Sequence, residues 1–186
     1  DAEVFLRTSP DATLEVLQSA EGVFLQGSEG RRYLDFHGNS AHTVGYGHPR
    51  VLRAVGEAMA SLPFCPRRFT NSYALELGQE LSRLLPGSPG KVLLAPGGAE
   101  VVSAALMLAR LATGRSAVVS HWGSYHGAGL DAVAVGGLPE YRRGLGPLPD
   151  IAVHVPPPSP YRCALREGGC ARCDLECALQ VEHAIE

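Results

Sequence analysis

The spacing of apolar residues changes twice along this chain. Two short runs, Gly22-Val23-Phe24-Leu25 and Arg32-Tyr33-Leu34-Asp35-Phe36, flank the turn-forming Gly27-Ser28-Glu29-Gly30. Aromatic and aliphatic runs around such a turn predict a β-hairpin. A polar loop, His37-Gly38-Asn39-Ser40-Ala41-His42, follows and leads to Gly45-Tyr46-Gly47-His48-Pro49. Val51, Leu52, Val55, Ala58, Met59 and Leu62 then recur at helical spacing, and Pro63 and Pro66 stop that helix. Leu75, Leu77, Leu81, Leu84 and Leu85 predict a second helix from about Ser72 to Leu85, closed by Pro86-Gly87-Ser88-Pro89-Gly90.

Beyond that point the apolar runs become short and continuous. Lys91–Ala95, Ser116–Ser120 and Ile151–Val155 each predict a strand. Between the first two lies a helix that is apolar nearly all round: Val101, Val102, Ala104, Ala105, Leu106, Leu108, Ala109 and Leu111. Continuous apolar strands alternating with a helix that needs burial argue for an α/β fold with a parallel sheet covered on both faces. Asp174 to Glu186 predicts the start of another helix, and Pro156-Pro157-Pro158-Ser159-Pro160 a surface loop.

Composition narrows the possible functions more than it names one. Hydrophobic residues make up 45% and charged residues 19% of the 186, enough for a packed core. Sixteen Lys and Arg against nineteen Asp and Glu leave a formal charge of −3, which gives no electrostatic case for nucleic acid or an anionic membrane. No stretch approaches the ~20 apolar residues of a membrane span, and the acidic Asp1-Ala2-Glu3 start lacks a signal-peptide layout. A cytoplasmic protein is expected. The five cysteines are odd in number and clustered toward the C-terminus, unlike a secreted disulfide framework.

Leu93-Leu94-Ala95-Pro96-Gly97-Gly98-Ala99-Glu100-Val101 reads as strand, glycine turn and helix start. The first N–H groups of a helix lack intrahelical partners and carry the positive end of its dipole, which suits an anion. A plain tight turn fits the same residues. One predicted strand later comes His121-Trp122-Gly123-Ser124-Tyr125-His126-Gly127. In a parallel sheet the ends of neighbouring strands share one crevice, where an aromatic can stack on a flat ring or simply pack into the core. Trp122 reads as a packing residue.

Together these residues resemble the class III aminotransferase family, pyridoxal-phosphate enzymes of fold type I. Gly97-Gly98-Ala99-Glu100 through Leu108-Ala109-Arg110 matches the family's small-residue turn and helix. Tyr125-His126-Gly127 matches its aromatic-His-Gly element, and Ala132–Gly137 the segment after it. Upstream, Tyr33-Leu34-Asp35-Phe36 and Gly47-His48-Pro49 fit its N-terminal pattern.

The resemblance implies an incomplete fold type I architecture: residues 1–62 from the small domain and 63–186 from the large pyridoxal-phosphate domain. It implies that Gly97, Gly98 and Ala99 hold the phosphate of pyridoxal 5'-phosphate. It implies that Tyr125 stacks on the pyridine ring, supported by His126 and Gly127. The substrate is then a small amine or amino acid, and the full-length protein a homodimer. Two features depart from the pattern. The family's usual Asn-Glu or Asn-Asp pair is Val102-Ser103 here, and Gly97 stands where Ser is common. The Schiff-base lysine and the acid opposite the pyridine nitrogen are expected outside these residues. Lys91, the only lysine, opens the predicted Lys91–Ala95 strand, at the end remote from the expected cofactor crevice, and does not replace the first of them. The 186 residues alone are therefore expected to be inactive.

Asp35–Asn39, Leu62–Asn71 and Gly144–Pro149 further resemble a subgroup of ammonia-lyases acting on the aminophosphonate 1-hydroxy-2-aminoethylphosphonate. Arg67 or Arg68 would pair with a phosphonate there, since guanidinium binds such oxyanions bidentately. Both arginines read equally well as solvated. Asn39 and His42 fall in a loop that borders the family's substrate pocket, with a structural role equally open. Cys163, Cys170, Cys173 and Cys177 invite a zinc site, but a single Cys-x2-Cys pair flanked by lone cysteines fits packed thiols better. Two alternatives to an enzyme remain at this point: a non-catalytic truncated paralogue or binding module, and a small metal module.

Overall fold

A computed structural model describes residues 15–87, 90–166 and 175–185. They belong to two compact units, Asp1–Leu84 and Leu85–Glu186.

The first unit opens with an antiparallel three-stranded sheet, β1 (Leu17–Glu21), β2 (Phe24–Gly27) and β3 (Arg32–Leu34), ordered as in the chain. The predicted hairpin is β2 and β3, in register Phe24↔Leu34 and Gln26↔Arg32. Strand β1 was not predicted. It pairs Glu21↔Phe24 and Leu17↔Gly27, with a register irregularity between Leu17 and Ser19. Glu15, just ahead of it, lays its carboxylate over Gly27 and accepts a bond from Arg31 at 3.1 Å. A Cβ at Gly27 would fall on that carboxylate.

A single 3-10 turn at Gly38–Ser40 leads into α1 (Pro49–Ser61), which Pro49 begins with its preset φ. Helix α2 (Ser72–Leu84) is capped by Asn71, whose side-chain oxygen accepts the Ala74 N–H at 2.9 Å. Both helices lie where the periodicity places them, and neither has a buried residue among those described.

The second unit holds α3 (Gly98–Thr113), β4 (Val118–His121), α4 (Leu130–Val135), α5 (Pro139–Arg142), β5 (Ala152–Val155) and α6 (Glu176–His183). β4 and β5 pair in parallel, from Val118↔Ala152 to His121↔Val155. The predicted parallel pairing is therefore present, as two strands, but the sheet is not covered on both faces: the paired Val119 and Val153 stand exposed among the described residues. The strand predicted at Lys91–Ala95 is not: among the described residues that segment has no ladder partner, and a strand exists only by pairing. Helix α3 ends on Gly114 in the left-handed conformation, as a C-cap glycine should. It forms as predicted but is not buried: none of its residues reaches the interior, because only α4 packs closely against it among the described elements.

The interior of the second unit is α4. Ala132, Val133, Ala134 and Val135 are all buried, as is Val155 on β5. Each buried valine contributes about 1.5–3 kcal/mol relative to exposure. The carbonyl end of α4 receives three bonds from Arg142 Nη1, to Val133, Ala134 and Gly136 at 2.9, 3.1 and 2.7 Å. A cation there suits both the orphan carbonyls and the negative end of the helix.

Candidate functional site

The start of α3 is an open anion cradle. Gly97 is its N-cap in extended conformation, with no side-chain cap bond. The N–H groups of Gly98, Ala99 and Glu100 make no hydrogen bond among the described residues, while Val101 N–H already bonds the Gly97 carbonyl at 3.1 Å. Nothing lies within 4 Å of a Cβ built on Gly98. A Cβ on Gly97 would meet only the Glu100 carboxylate, at 2.7 Å, the far end of a side chain that can swing away. Space alone therefore does not demand a glycine at 97. Unpaired N–H groups, open room and the positive helix end fit the phosphate of a cofactor.

The aromatic loop after β4 lies against this cradle. Gly127, at φ +118°, brings its backbone so close to α3 that a Cβ would sit 2.8 Å from the Ala99 Cβ and 3.0 Å from its Cα. Only glycine fits both that conformation and that space. The two motifs singled out in the sequence are thereby brought together. Tyr125 keeps 52% of its surface exposed and meets the Tyr141 ring at 4.8 Å and 45°, leaving ring surface available for stacking. His126 is half-buried beside it. Trp122 stacks on His154 at 4.4 Å with Arg142 over its ring at 5.6 Å, in keeping with a packing role, although 46% of it stays exposed.

At the Val102-Ser103 position, the serine makes polar contacts of its own. The Ser103 hydroxyl lies 3.1 Å from the Ala99 carbonyl oxygen and also hydrogen-bonds the Asp131 carboxylate at the start of α4. Asp131 further accepts the Ala132 N–H at 2.9 Å. The Ser103 bond, and after it the backbone N–H, hold this carboxyl below its ordinary value, outweighing partial burial.

In the first unit, Asn39 and His42 border a cavity of about 590 Å³ between β1 and the 35–46 loop, with Ser19, Asp35, His37 and Tyr46. Asp35 organises that loop. Its carboxylate accepts the His37 and Gly38 N–H groups, both at 2.9 Å, and the Tyr46 hydroxyl at 2.6 Å. The Tyr46 bond, then the two backbone bonds, lower its pKa from 3.8 to about 2. The same bond raises that of Tyr46. Asn39 N–H donates to His37 Nδ1 at 3.0 Å, and the His42 ring lies 4.1 Å from that of Tyr46. Asn39 and Ser40 both hold positive φ, 47° and 58°. Asp35 as a hub was not recognised in the sequence, although an Asp two and three residues before a His-Gly turn is an Asx-turn signal.

Arg67 and Arg68 are exposed in the turn before α2 and pair with no acid among the described residues. Cys163 and Cys177 are half-buried, whereas Cys170 and Cys173 lie outside the described residues. No group of metal ligands occurs among the described residues, and no described helix is long and apolar enough to cross a membrane.

A parallel-stranded unit with an anion-ready helix start and an aromatic loop beside it defines an α/β fold whose ligands gather at the strand ends. The family Aminotransferase class-III matches residues 7–185. The (R)-1-hydroxy-2-aminoethylphosphonate ammonia-lyase of Vibrio splendidus is 42% identical over 200 aligned positions, spanning all of this chain and 42% of that enzyme. The isoleucine 2-epimerase of Lentilactobacillus buchneri is 33% identical over 79% of this chain and 34% of its own length. An (S)-enantioselective omega-transaminase from Thermomicrobium roseum superposes with a TM-score of 0.81 at 31% identity, covering 92% of this chain and 40% of that one. An amine transaminase from an uncultivated Pseudomonas species, solved in its PLP-bound form, reaches a TM-score of 0.85 at 22% identity and shares the fold. This chain belongs to the class III aminotransferase family, with the fold of type I pyridoxal-phosphate enzymes. It spans less than half the length of each of these relatives.

Proposed function

We propose that the full-length protein is a pyridoxal-phosphate enzyme acting on the amino group of a small substrate, and that these residues supply the phosphate cradle and the ring-stacking loop. The observation that carries this is the seating of Gly127 on Ala99, which sets the aromatic loop beside three unpaired N–H groups. In this reading Gly97, Gly98 and Ala99 bind the phosphate through backbone N–H groups. Tyr125 covers one ring face, and His126 and Gly127 shape the loop that carries it. The cofactor, when bound, supplies an electron sink for the bond broken at the substrate carbon. A lysine and a ring-nitrogen acid outside these 186 residues complete the site. Exposed apolar side chains on both units, Met59 and Leu84 in one and Leu108 and Leu111 in the other, support a larger assembly, which we take to be a homodimer.

For the reaction we favour elimination of ammonia from an aminophosphonate. The support is the 42% identity to the ammonia-lyase along the whole chain, against 33% over 79% of it to the epimerase. Arg67 or Arg68, exposed and without an acid partner among the described residues, would take the phosphonate, and Asn39 and His42 would border the substrate. The test is full-length protein given (R)-1-hydroxy-2-aminoethylphosphonate with and without a keto acid. Ammonia released without the keto acid supports elimination. Amino-group transfer that requires the keto acid identifies a transaminase instead.

A further inference from the structure

The stacking loop is held on α3 at two successive turns. At the first turn the contact is steric, Gly127 on Ala99, with Gly129 behind it (a Cβ there would lie 3.8 Å from the Ala99 Cβ). One turn on, at the i+4 position on the same face of the helix, the contact is a hydrogen bond from the Ser103 hydroxyl to Asp131. The same hydroxyl lies 3.1 Å from the Ala99 carbonyl oxygen, so one side chain touches the cradle's own backbone and the loop.

Asp131 is fixed in turn. It accepts the N–H of Ala132, which opens a buried stretch of α4, and Arg142 and His154 grip the carbonyl end of that helix. Among the described residues Tyr125 makes one ring contact, tilted, with Tyr141, and half its surface is open. Its distance from the cradle therefore depends on where the 127–131 backbone rests.

We propose that Ser103 and Asp131 form a positioning clamp that sets the spacing between the phosphate cradle and the ring-stacking loop, and so tunes the affinity for pyridoxal phosphate without either residue touching it. This rests on the reading of those two segments as halves of the cofactor pocket. A steric contact stops the loop from moving inward but does nothing against its lifting away. The hydrogen bond to a charged group supplies that missing restraint.

The experiment uses the full-length protein and titrates pyridoxal phosphate into Ser103→Ala, Asp131→Ala, the double variant and Ser103→Thr, recording affinity, the visible circular dichroism of bound cofactor and thermal midpoint. Each single change weakens affinity about ten-fold, the scale of one lost hydrogen bond to a charged group, and alters the dichroic band. The double variant loses no more than the singles, because both remove one bond. Ser103→Thr, which keeps the hydroxyl, stays near wild type. Variants that lose thermal stability but keep wild-type affinity and dichroism overturn the clamp, as do losses that add in the double variant. Gly98→Asp, which sets a negative charge in the cradle, separates the two layers of the argument. Binding lost in Gly98→Asp but unmoved in the clamp variants defeats the clamp alone. Binding indifferent to Gly98→Asp, or absent from wild type, defeats the cofactor reading beneath it.

Discussion

Two loops that carry candidate residues, one in each unit, are held by different forces. The 121–129 loop of the second unit is held by close backbone packing together with backbone and hydroxyl bonds, such as Gly137 N–H to the Ser124 carbonyl at 2.9 Å. Gly127 sits on α3, and Gly137 is packed so closely that a Cβ would meet the His121 carbonyl oxygen at 2.5 Å and the Trp122 Cα at 2.6 Å. The 35–46 loop of the first unit is held by bonds to one carboxylate, with two non-glycine residues kept at positive φ. A loop set by close backbone packing leans less on charge but is intolerant of a single added carbon. A loop hung on a carboxylate tolerates bulk but depends on charge.

The sharpest break of this contrast is Gly137→Val. Its Cβ would overlap backbone, which cannot swing aside, so about 3 kcal/mol of stability should be lost, measured by denaturant unfolding at two pH values with equal loss at both. Arg142→Ala ranks next. It strips three carbonyls at the end of α4 and should cost about 2 kcal/mol, with faster amide exchange through Val133–Gly136 as the marker.

Asp35→Asn should act on the other loop alone, raising amide exchange at His37 and Gly38 while leaving Ala132–Val135 protected. Its pH dependence has a definite sign. The folded pKa of Asp35 lies near 2, below the ordinary 3.8. The ionised carboxylate's stabilisation is therefore complete above that ordinary value and is lost as pH falls from it through about 2. Wild-type loop protection should fall across that window, and in Asp35→Asn it should be flat. Protection that does not change with acid in wild type would show that the carboxylate is not the tether. Smallest of all, Arg67→Ala and Arg68→Ala should shift stability by less than about 0.5 kcal/mol. In the full-length protein one of them should raise the KM for the aminophosphonate, and unchanged KM in both would remove these arginines from the substrate site.

The difference between the loops also explains what could be read from the sequence. Helical spacing located α1 and α2, and continuous apolar runs located α3, β4 and β5. Spacing missed β1, since Leu-Gln-Ser-Ala-Glu has no alternation and all five residues are exposed. That strand is defined by its partner alone. Apolar content placed a strand at Lys91–Ala95, where no neighbour pairs among the described residues. Gly97–Ala99 and Tyr125–Gly127 were legible because glycine and aromatic residues are placed by local geometry. Ser103 and Asp131 were not, because a contact between residues 28 apart leaves no local pattern. Arg142 escaped notice for the same reason: its guanidinium acts on a helix whose end cannot be located from spacing.

Helix α3 has a consequence for how the protein is made. Its apolar side chains point every way, and Val101, Met107, Leu108 and Leu111 stand 45%, 61%, 57% and 83% exposed. A polypeptide emerges from the ribosome at about 5–20 residues per second and folds from its N-terminal end. These side chains therefore leave the exit tunnel well ahead of any later segment that would cover them. Through that interval the helix carries exposed apolar surface of the kind that promotes aggregation.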